Sequence, residues 1–347
     1  MLPDHEATVG RMNISAILCT YNRCQDLTKA LDTIAVSKLP ESVEWEVLVV
    51  DNNSRDQTRA VAEDFCRRYP GRFRYLFEAR QGKSHALNAG IRESRGDILA
   101  FMDDDVTVDS TWLQNLTAPL LDGKWVGVGG PVLPQRQVEL PKWISLDERY
   151  ALGPLVMFDL GPNSAELTEA PFGTNMAFQK KMFDKYGGFR TDLGPQPGSE
   201  IRGEDSEFVY RLLEAGERLG YEPSALVYHS IPENRLRKEY FLAWWFDKGR
   251  ADVRALGTPP ETRWLLGGVP LIWFRRLIMW TLRWMTAFES SRRFSCKLKV
   301  CFVAGQITES CRLRHKVRSN QHEQRCEKNA EYAAGLTTDS VANKEIS

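Results

Sequence analysis

The sequence of 347 residues has no excess of charge of either sign. Lysine plus arginine and aspartate plus glutamate each number 46, so the formal net charge is zero. Nucleic-acid-binding proteins depend on a positive surface field, and we therefore expect no nucleic-acid partner. Hydrophobic residues make up 42 % and charged residues 27 % of the chain, which excludes a disordered or fibrous protein. The length suits one large domain with an appendage.

Cysteine is sparse as well. The seven cysteines are scattered without the paired spacing of a metal site, so we expect free thiols in a reducing compartment. The N-terminal stretch MLPDHEATVG is polar and acidic, and the sequence therefore predicts no signal peptide. Both features favour a cytoplasmic location.

Apolar runs and amphipathic helical stretches alternate in the N-terminal third of the chain. Strands are predicted at residues 14–19, 45–50, 73–77 and 97–102. Helical stretches separate them, and in the first of these Leu27, Leu31 and Ile34 fall on one face. This order, with short connections, predicts an α/β domain whose mostly parallel central sheet is flanked by helices.

The pattern loosens beyond residue 129, where prolines imply loops and short strands. Two further helices are predicted, at 175–186 and at 206–215, and the last strand is predicted at 225–228.

Polar clusters follow three of the predicted strands, at residues 20–23, 51–54 and 103–105. In open parallel sheets, ligands bind just past the carboxyl ends of the strands. The clusters therefore predict a ligand site at one edge of the sheet.

The cluster at 103–105 consists of three consecutive aspartates, Asp103, Asp104 and Asp105. Three carboxylates at a strand end repel one another unless a cation neutralises them, and Mg²⁺ or Mn²⁺ commonly joins such carboxylates to substrate phosphates. An isolated acidic triplet is equally well a solvated loop. The apolar strand before it and the neighbouring clusters favour the metal.

Two further carboxylates leave alternatives open. Asp51 follows a buried strand, where it can bond a base or ribose or simply cap the next helix. Asp205 follows a glycine-rich loop at the start of a helix, where it can act as a general base or as a cap, and Ser206 can also serve as the cap.

The segment Gln81-Gly82-Lys83-Ser84 is not a phosphate-binding P-loop, because Phe77 occupies the position of the first glycine. Lys83 can still approach a phosphate as a point charge from the helix start. His229, at a strand end, is a candidate metal or phosphate ligand, although most lone histidines are neither.

Taken together, six segments resemble, in the same order, family 2 glycosyltransferases of the GT-A fold. They are Ile14–Arg23 (ISAILCTYNR), Glu46–Ser54 (EVLVVDNNS), Gln81–Gly90 (QGKSHALNAG), Gly96–Trp112 (GDILAFMDDDVTVDSTW), Phe172–Phe178 (FGTNMAF) with Gly187-Gly188-Phe189, and Gly203-Glu204-Asp205. One segment alone carries little weight, but six in order are specific. The resemblance covers residues 14–240.

The resemblance implies a Rossmann-like GT-A domain with assigned roles for individual residues. The donor nucleotide would contact Thr20, Tyr21, Asn22, Arg23, Asp51, Lys83, Asp103 and Asp104. The metal would bind Asp105, the last acid of the DxD motif, with His229 as a second ligand. Asp205 would be the catalytic base and Glu204 would help to place the acceptor. Gly173, Thr174 and Asn175 would form the acceptor-side floor.

The implied reaction is transfer of a sugar from a nucleotide-diphospho-sugar to an acceptor hydroxyl, with Mg²⁺ or Mn²⁺. A carboxylate must deprotonate the weakly nucleophilic hydroxyl, and a metal stabilises the departing diphosphate. One base opposite the leaving group implies inversion. UDP-sugars are the commonest donors of the family. A carbohydrate or lipid-linked acceptor in polysaccharide, glycolipid or cell-envelope biosynthesis fits this chemistry.

Residues 241–312 are predicted to form a helical appendage rich in aromatic and basic residues. Within it, Arg275, Arg276 and Arg283 interrupt the apolar stretch 264–288, which therefore does not suit a membrane span. Such a segment fits the interface of an anionic membrane, which predicts a peripheral protein on the inner face of the plasma membrane. The alternative is a helical subdomain packed on the catalytic domain. Residues 1–13 are predicted to be a tail, and the polar residues 313–347 are predicted to be disordered.

Two other functions compete with the transferase. A sugar-1-phosphate nucleotidyltransferase shares the sheet and the metal carboxylates, but its first strand normally leads into a basic glycine-rich loop, and here that loop is Thr20-Tyr21-Asn22-Arg23. A non-catalytic, membrane-associated sugar-binding protein would gain nothing from three clustered acids together with Asp205.

Overall fold

The computed structural model describes residues 13–136, 139–144, 149–199, 201–257 and 264–315. The predicted tails fall outside these ranges, except for residue 13 and residues 313–315. The cysteines at positions 19, 24, 66, 296, 301 and 311 are free thiols, as predicted. Cys326 lies outside the described residues.

The N-terminal part of the chain alternates strands and helices in the predicted order. Its elements are β1 (Asn13–Thr20), α1 (Cys24–Ala35), β2 (Glu44–Asp51), α2 (Thr58–Arg68), β3 (Phe73–Phe77), α3 (Lys83–Glu93) and β4 (Ile98–Asp103). β1 pairs in parallel with both β2 and β4, and β2 pairs in parallel with β3. Because helices cover the sheet, β1 and β2 are buried almost continuously, as their apolar runs predict.

Shorter elements follow in the middle of the chain. They are β5 (Val106–Val108), α4 (Trp112–Thr117), β6 (Gly127–Gly129), β7 (Val132–Pro134), α5 (Leu152–Leu155), β8 (Ala165–Glu166), β9 (Met176–Gln179), α6 (Lys181–Tyr186), α7 (Glu204–Glu214), β10 (Leu219–Tyr221) and β11 (Val227–His229). Across the described residues the main sheet has eight strands in the order β3-β2-β1-β4-β9-β6-β10-β8. A smaller sheet in the order β5-β11-β7 carries the predicted last strand.

The predicted helix over residues 175–186 is wrong in its first half. Residues Met176–Gln179 form β9, which runs antiparallel between β4 and β6, and only Lys181–Tyr186 is helical. Met176, Ala177 and Phe178 are all buried because both faces of this central strand are covered. A short apolar run of this kind has no periodicity that distinguishes a buried strand from a helix.

The C-terminal part consists mainly of three helices. They are α8 (Lys238–Leu256), α9 (Leu271–Thr286), which follows the small hairpin of β12 (Leu265–Leu266) and β13 (Val269–Pro270), and α10 (residues 290–315). Phe241 of α8 and Phe294 of α10 share an apolar cluster with Ile144 and Leu155 of the preceding part of the chain. The appendage is therefore helical, and α8 and α10 pack on the sheet domain.

α8 and α10 approach each other through glycines. A Cβ added at Gly249 would collide with the main-chain carbonyl of Phe302, and one added at Gly305 would collide with that of Phe246. The carboxylate of Glu309, which is completely buried, accepts hydrogen bonds from the Nε atoms of Arg250 at 2.9 Å and Arg254 at 2.7 Å. Only residues without a side chain allow this backbone contact, which brings the ion pairs together.

α9 differs from its neighbours because most of its surface faces solvent. Trp273 is its one fully buried side chain, and it packs with Val253 of α8 and Val303 of α10. Large apolar side chains are exposed along α9 and just outside its two ends: Trp264, Leu265, Leu266, Leu271, Ile272, Ile278, Met279, Leu282, Met285 and Phe288.

None of the helices in the described ranges combines the length and the hydrophobicity needed to cross a bilayer.

Candidate active site

A cleft of about 540 Å³ opens at the carboxyl ends of β1 and β4, where the polar clusters were predicted to meet. Most of the sequence-predicted site residues line it: Thr20, Tyr21, Arg23, Lys83, Asp103, Asp104, Asp105, Gly173, Thr174, Glu204, Asp205 and His229. They come from the ends of β1, β4 and β11, from the starts of α3 and α7, and from the loop before β9. Positions far apart in the sequence therefore meet in one site.

Lys83 lies at the start of α3 and reaches two acids. Its Nζ is 2.6 Å from Asp103 Oδ1 and 3.7 Å from Glu204 Oε1. Burial alone would lower the pKa of Lys83, but the charges of Asp103 and Glu204 raise it above its ordinary value. The lysine is thus a fixed positive charge on the wall of the cleft.

Asp104 is the most buried of the three consecutive acids. It accepts hydrogen bonds from Thr20 Oγ1 at 2.7 Å and from Arg23 Nη1 at 3.1 Å. Burial raises the pKa of Asp104, against the opposing charge of Arg23. These bonds join the loop after β1 to the acids after β4.

Asp105 is surrounded by basic groups. Its Oδ2 lies 2.8 Å from Arg23 Nη1, 3.5 Å from Arg235 Nη2 and 3.7 Å from His229 Nε2. Burial would raise the pKa of Asp105, but the positive charges of Arg23 and Arg235 lower it. The carboxylate is therefore held in its ionised form. Sequence reasoning missed Arg235, since it lies in an irregular segment outside every recognised motif.

His229 ends β11 and is almost fully buried. Its Nε2 is 2.9 Å from Arg235 Nη1, and because a guanidinium can only donate, Nε2 is the acceptor in this contact. Its Nδ1 is buried without a hydrogen-bond partner among the described residues. The acceptor nitrogen of the ring thus points toward the acids of the cleft.

The side chains of Asp105 and His229 suit a divalent ion whose remaining ligands come from the substrate. Within the described residues, no three acidic, histidine or cysteine side chains are gathered closely enough to hold a metal by themselves. Mg²⁺ and Mn²⁺, however, commonly use one or two protein ligands and take the others from phosphate and water. The Asp105 carboxylate and the His229 nitrogen are of the required chemical type.

Asp205 lies in the first turn of α7 but does not cap it. Its Oδ2 accepts the backbone N–H of Gly173 at 2.8 Å, and its Oδ1 accepts the N–H of Ser206 at 2.7 Å. No side chain caps α7, which begins after Gly203 in a left-handed conformation. The carboxylate of Asp205 therefore connects the loop before β9, through Oδ2, with the first turn of α7, through Oδ1.

The neighbouring Glu204 is buried. Its burial, together with the charge of Asp205, raises the pKa of Glu204 above its ordinary value.

The floor beside Asp205 is built from Gly173 and Thr174. A Cβ at Gly173 would lie 2.8 Å from Asp205 Oδ2, so only glycine fits this contact without displacing the carboxylate. Thr174 Oγ1 accepts the N–H of Asp103 at 3.3 Å, which connects the loop before β9 to the acids after β4.

Three predicted residues are not among those that line the cleft: Asp51, Asn22 and Asn175. Asp51 accepts hydrogen bonds from Ser54 N and Tyr75 Oη, both at 2.9 Å, and Gln57 occupies the N-cap position of α2, so Asp51 does not cap that helix.

Asn22 connects two loops, because its Oδ1 accepts the N–H of Arg55 and its own N–H donates to Ser54 Oγ. The amide of Asn175 is fully buried, where it accepts from Trp112 Nε1 and donates to the carbonyls of Pro131 and Ala225. Their observed contacts position neighbouring segments, and the predicted contacts with substrate remain predictions.

One wall of the cleft comes from the appendage. Tyr240, Trp244 and Lys248 of α8 line the cleft, although residues 241–312, which include most of this helix, were predicted to form the membrane-interfacial segment. Their regular spacing of four residues was the available signal for a shared helix face.

Comparison with known proteins agrees with this geometry. Residues 15–187 match the family described as Glycosyl transferase family 2. The succinoglycan biosynthesis protein ExoM of Rhizobium meliloti is 27 % identical over 246 residues, which span 71 % of this chain and 75 % of that protein. A glucosyl-dolichyl phosphate glucuronosyltransferase of Haloferax volcanii is 26 % identical over 240 residues, which span 67 % and 75 % of the two chains.

A solved structure matches the fold over most of the chain. It is the mannosyltransferase PcManGT from Pyrobaculum calidifontis, in complex with GDP-Man and Mn²⁺. The TM-score is 0.59 at 19 % identity, over 87 % of this chain and 88 % of that one. The strand order, the acids at the strand ends and the sequence match thus lead to one family: the chain is a family 2 glycosyltransferase with the GT-A fold.

Proposed function

We propose that this enzyme transfers a sugar from a nucleotide-diphospho-sugar to an acceptor hydroxyl, with Mg²⁺ or Mn²⁺ as its cofactor. The observation that carries the proposal is one cleft whose wall holds a basic pair, Lys83 and Arg23, in contact with the acids at the end of β4, and also holds the carboxylate of Asp205. The basic pair and the acids suit a diphosphate with its metal ion, and the Asp205 carboxylate suits an attacking hydroxyl that must lose its proton. Polysaccharide, glycolipid or cell-envelope biosynthesis is the setting we propose.

The donor side of the cleft suits a diphosphate. Lys83 supplies a fixed positive charge, and Arg23 and Arg235 present guanidinium groups that bind phosphate oxygens well. Asp105 and His229 would hold the divalent ion, whose chemistry when bound is to stabilise the negative charge of the diphosphate leaving group. The Mn²⁺ and GDP-Man in the PcManGT structure support this type of donor site. We propose a UDP-sugar as donor, the commonest in the family.

The acceptor side depends on Asp205. We propose that its carboxylate removes the proton of the acceptor hydroxyl as that oxygen attacks the anomeric carbon of the sugar. The hydrogen bonds from Gly173 and Ser206 orient the carboxylate without using all of its lone pairs. With a single base and the leaving group on the opposite side of the sugar, the product has the inverted anomeric configuration. Glu204 would assist in placing the acceptor.

The exposed face of α9 suits an anionic membrane surface. Ile278, Leu282 and Met285 are each more than half exposed, at 61 %, 58 % and 69 %. Arg275, Arg276 and Arg283 are exposed on the same helix and can pair with anionic lipid headgroups. We propose that α9 lies in the interface of the inner leaflet and that the acceptor is carried by a lipid. The name of the Haloferax volcanii relative, which includes a dolichyl phosphate, supports a lipid-linked acceptor.

Calorimetry tests the donor proposal. Full-length protein would be titrated with UDP-, GDP- and dTDP-sugars, with and without Mn²⁺. We expect one nucleotide class to bind, and binding to require the ion. Absence of binding by every nucleotide sugar in the presence of Mn²⁺ would contradict the proposal. Release of pyrophosphate from a nucleoside triphosphate and a sugar phosphate would instead identify a nucleotidyltransferase. NMR of the transfer product determines its anomeric configuration.

A further inference from the structure

One face of α8 projects into the cleft, and no role has been assigned to it. Tyr240, Trp244 and Lys248 line the cleft at intervals of four residues, so they form one stripe along the helix. We call these three residues the α8 stripe. Gly153 lies against the ring of Trp244, where an added Cβ would be 2.5 Å from its Cη2. The indole is thus held in place by close contact with the backbone.

Packing of α8 accounts for only part of the stripe. Tyr240 packs at the edge of the cluster that contains Phe241 and Phe294. The residues that follow each member, Phe241, Trp245 and Gly249, make the main helix contacts. Phe241 is completely buried, Trp245 Nε1 donates to the carbonyl of Tyr150 at 3.1 Å, and Gly249 lies against α10. These contacts hold α8 on the domain and leave the stripe facing the cleft.

The stripe leads from the predicted donor site toward α9. The guanidinium of Arg235, which contacts Asp105, lies 6.0 Å from the ring of Tyr240 at one end. Lys248 lies about 12 Å farther along the helix axis. It is nearer to Val253, which packs on Trp273 of α9. A molecule bound along the stripe would therefore extend from Arg235, beside Asp105, toward the end of α8 that packs on α9.

The chemistry of the stripe suits a sugar attached to a phosphate. The faces of aromatic rings are electronegative and pack on the apolar, weakly electropositive C–H face of a sugar ring. The Lys248 ammonium makes no ion pair within 4.0 Å among the described residues, although its charge acts on Asp252 one turn farther along. An ammonium group without a close carboxylate is available to bind phosphate.

We propose that the α8 stripe is the acceptor subsite, with Tyr240 and Trp244 against the acceptor sugar and Lys248 on the phosphate that carries it. The proposal rests on the proposed transferase function and names the acceptor class for it: a sugar joined to a phosphate. The phosphate can belong to a lipid carrier or to a free sugar phosphate, and the probes below distinguish the two.

Binding to full-length protein tests the subsite. With Mn²⁺ and the nucleotide identified by the donor titrations, calorimetry would compare hexose 1-phosphates, geranyl-phosphate hexoses and octyl hexosides of the same sugars. We expect the two phosphate-bearing sets to bind and the octyl set to bind at least tenfold more weakly. Tighter binding of the geranyl set would identify a lipid carrier. Equal binding of the two phosphate-bearing sets would identify the free sugar phosphate.

Two variants locate the binding on α8. Lys248→Ala should weaken binding of the phosphate-bearing probes about tenfold, and Trp244→Phe should weaken it severalfold, since it removes contact area but keeps an aromatic ring. Lys181→Ala, which replaces an exposed lysine of α6, is the matched control and should bind like the wild type. Thermal unfolding would verify that all three variants fold.

Nucleotide-sugar binding separates the two proposals. If wild type and Lys248→Ala bind the donor equally but also bind the phosphate-bearing probes equally, the subsite is wrong and the transferase function stands. Equal binding of octyl hexosides, or no binding of any probe by a protein that binds its donor, would also overturn the subsite. Failure of wild type to bind any nucleotide sugar would instead contradict the proposed function.

Discussion

Gly173 donates its backbone N–H to Asp205 Oδ2 at 2.8 Å, and this bond joins the loop before β9 to the first turn of α7. Since β9 lies beside β4 in the main sheet, the bond relates the position of Asp205 to that of the acids that end β4. The predicted base and the predicted donor-binding acids therefore belong to one rigid arrangement, although about 100 residues separate them.

The first prediction concerns the role of Asp205 as a base. Asp205→Asn preserves the size of the side chain but removes the carboxylate that would accept the proton. We expect kcat to fall by about 10²- to 10⁴-fold while the affinity for the nucleotide sugar changes less than about twofold. Steady-state turnover and calorimetry measure the two quantities. An equal loss of donor binding and turnover would remove Asp205 from this role.

The second prediction concerns the glycine contact. In Gly173→Ala the new Cβ would lie 2.8 Å from Asp205 Oδ2 and 3.0 Å from Asp205 Cβ, so the carboxylate must move. Misplacement of a catalytic group by a fraction of an ångström to an ångström typically costs about 10- to 100-fold in rate. We expect kcat to fall by this amount, with donor affinity unchanged. A fully active Gly173→Ala enzyme would mean that Asp205 does not need its observed position.

The sheet and the location of the site were predictable because both depend on local patterns. Continuous apolar runs marked β1, β2 and β4, and polar residues directly after them marked the edge of the sheet where ligands bind. Lys83 and Asp205 were candidates because of their positions at predicted helix starts, and the family resemblance then implied their roles. Hydrophobic periodicity did not identify the strand Met176–Gln179, because a strand covered on both faces shows no alternation of apolar and polar residues.

Residues that depend on long-range packing were not predictable. Arg235 reaches Asp105 across 130 positions of sequence, and no local pattern marks that contact. The sequence does not distinguish Gly249 and Gly305 from other glycines, because their role depends on the close packing of α8 and α10. The aromatic content of α8 suggested a membrane, whereas the structure divides its aromatics between the core and the cleft.

The third prediction concerns the metal. Asp105→Asn removes the negative charge that would face a divalent ion, and it leaves Arg23 and Arg235 nearby without that charge. We expect Mn²⁺ binding in the presence of nucleotide to weaken at least tenfold. Electron paramagnetic resonance of free Mn²⁺ measures this directly and does not require turnover. Asp122→Asn, at an exposed position outside the described cleft wall, is the control. Unchanged Mn²⁺ affinity in Asp105→Asn would contradict the assignment.

The fourth prediction concerns the stability of the appendage. Glu309 is buried between Arg250 and Arg254, and loss of its charge leaves Arg254 without a carboxylate, whereas Arg250 keeps its ion pair with Asp247 at 2.9 Å. We expect Glu309→Gln to lower the free energy of unfolding by about 3 kcal/mol at pH 7. Urea denaturation measures this value, and Glu239→Gln, at an exposed position of α8, should have little effect. A loss below about 0.5 kcal/mol would show that the ion pairs contribute nothing net.

The ionisation of Glu309 predicts that the free energy of unfolding depends on pH. Burial would raise the pKa of Glu309, but hydrogen bonds from Arg254 and Arg250 lower it below its ordinary value of 4.5. The unfolded chain therefore binds a proton more readily, so the contribution of Glu309 is complete above that ordinary value and disappears as the pH falls through the lower pKa of the folded state. The difference in unfolding free energy between wild type and Glu309→Gln should shrink with acidification below pH 4.5. A constant difference would contradict this.

The fifth prediction concerns the exposed face of α9. The double change Ile278→Glu and Met285→Glu places two negative charges on the surface proposed to contact lipid, where these side chains are 61 % and 69 % exposed. Each apolar side chain that enters the interface stabilises binding by about 1 to 3 kcal/mol, so the variant should bind anionic vesicles at least tenfold more weakly. Sedimentation with vesicles measures this, and Leu121→Glu, at a site 48 % exposed on the catalytic domain, is the matched control. Because the changed side chains make few contacts, the midpoint of thermal unfolding should not move. If wild-type protein did not sediment with anionic vesicles, the surface would have no lipid partner.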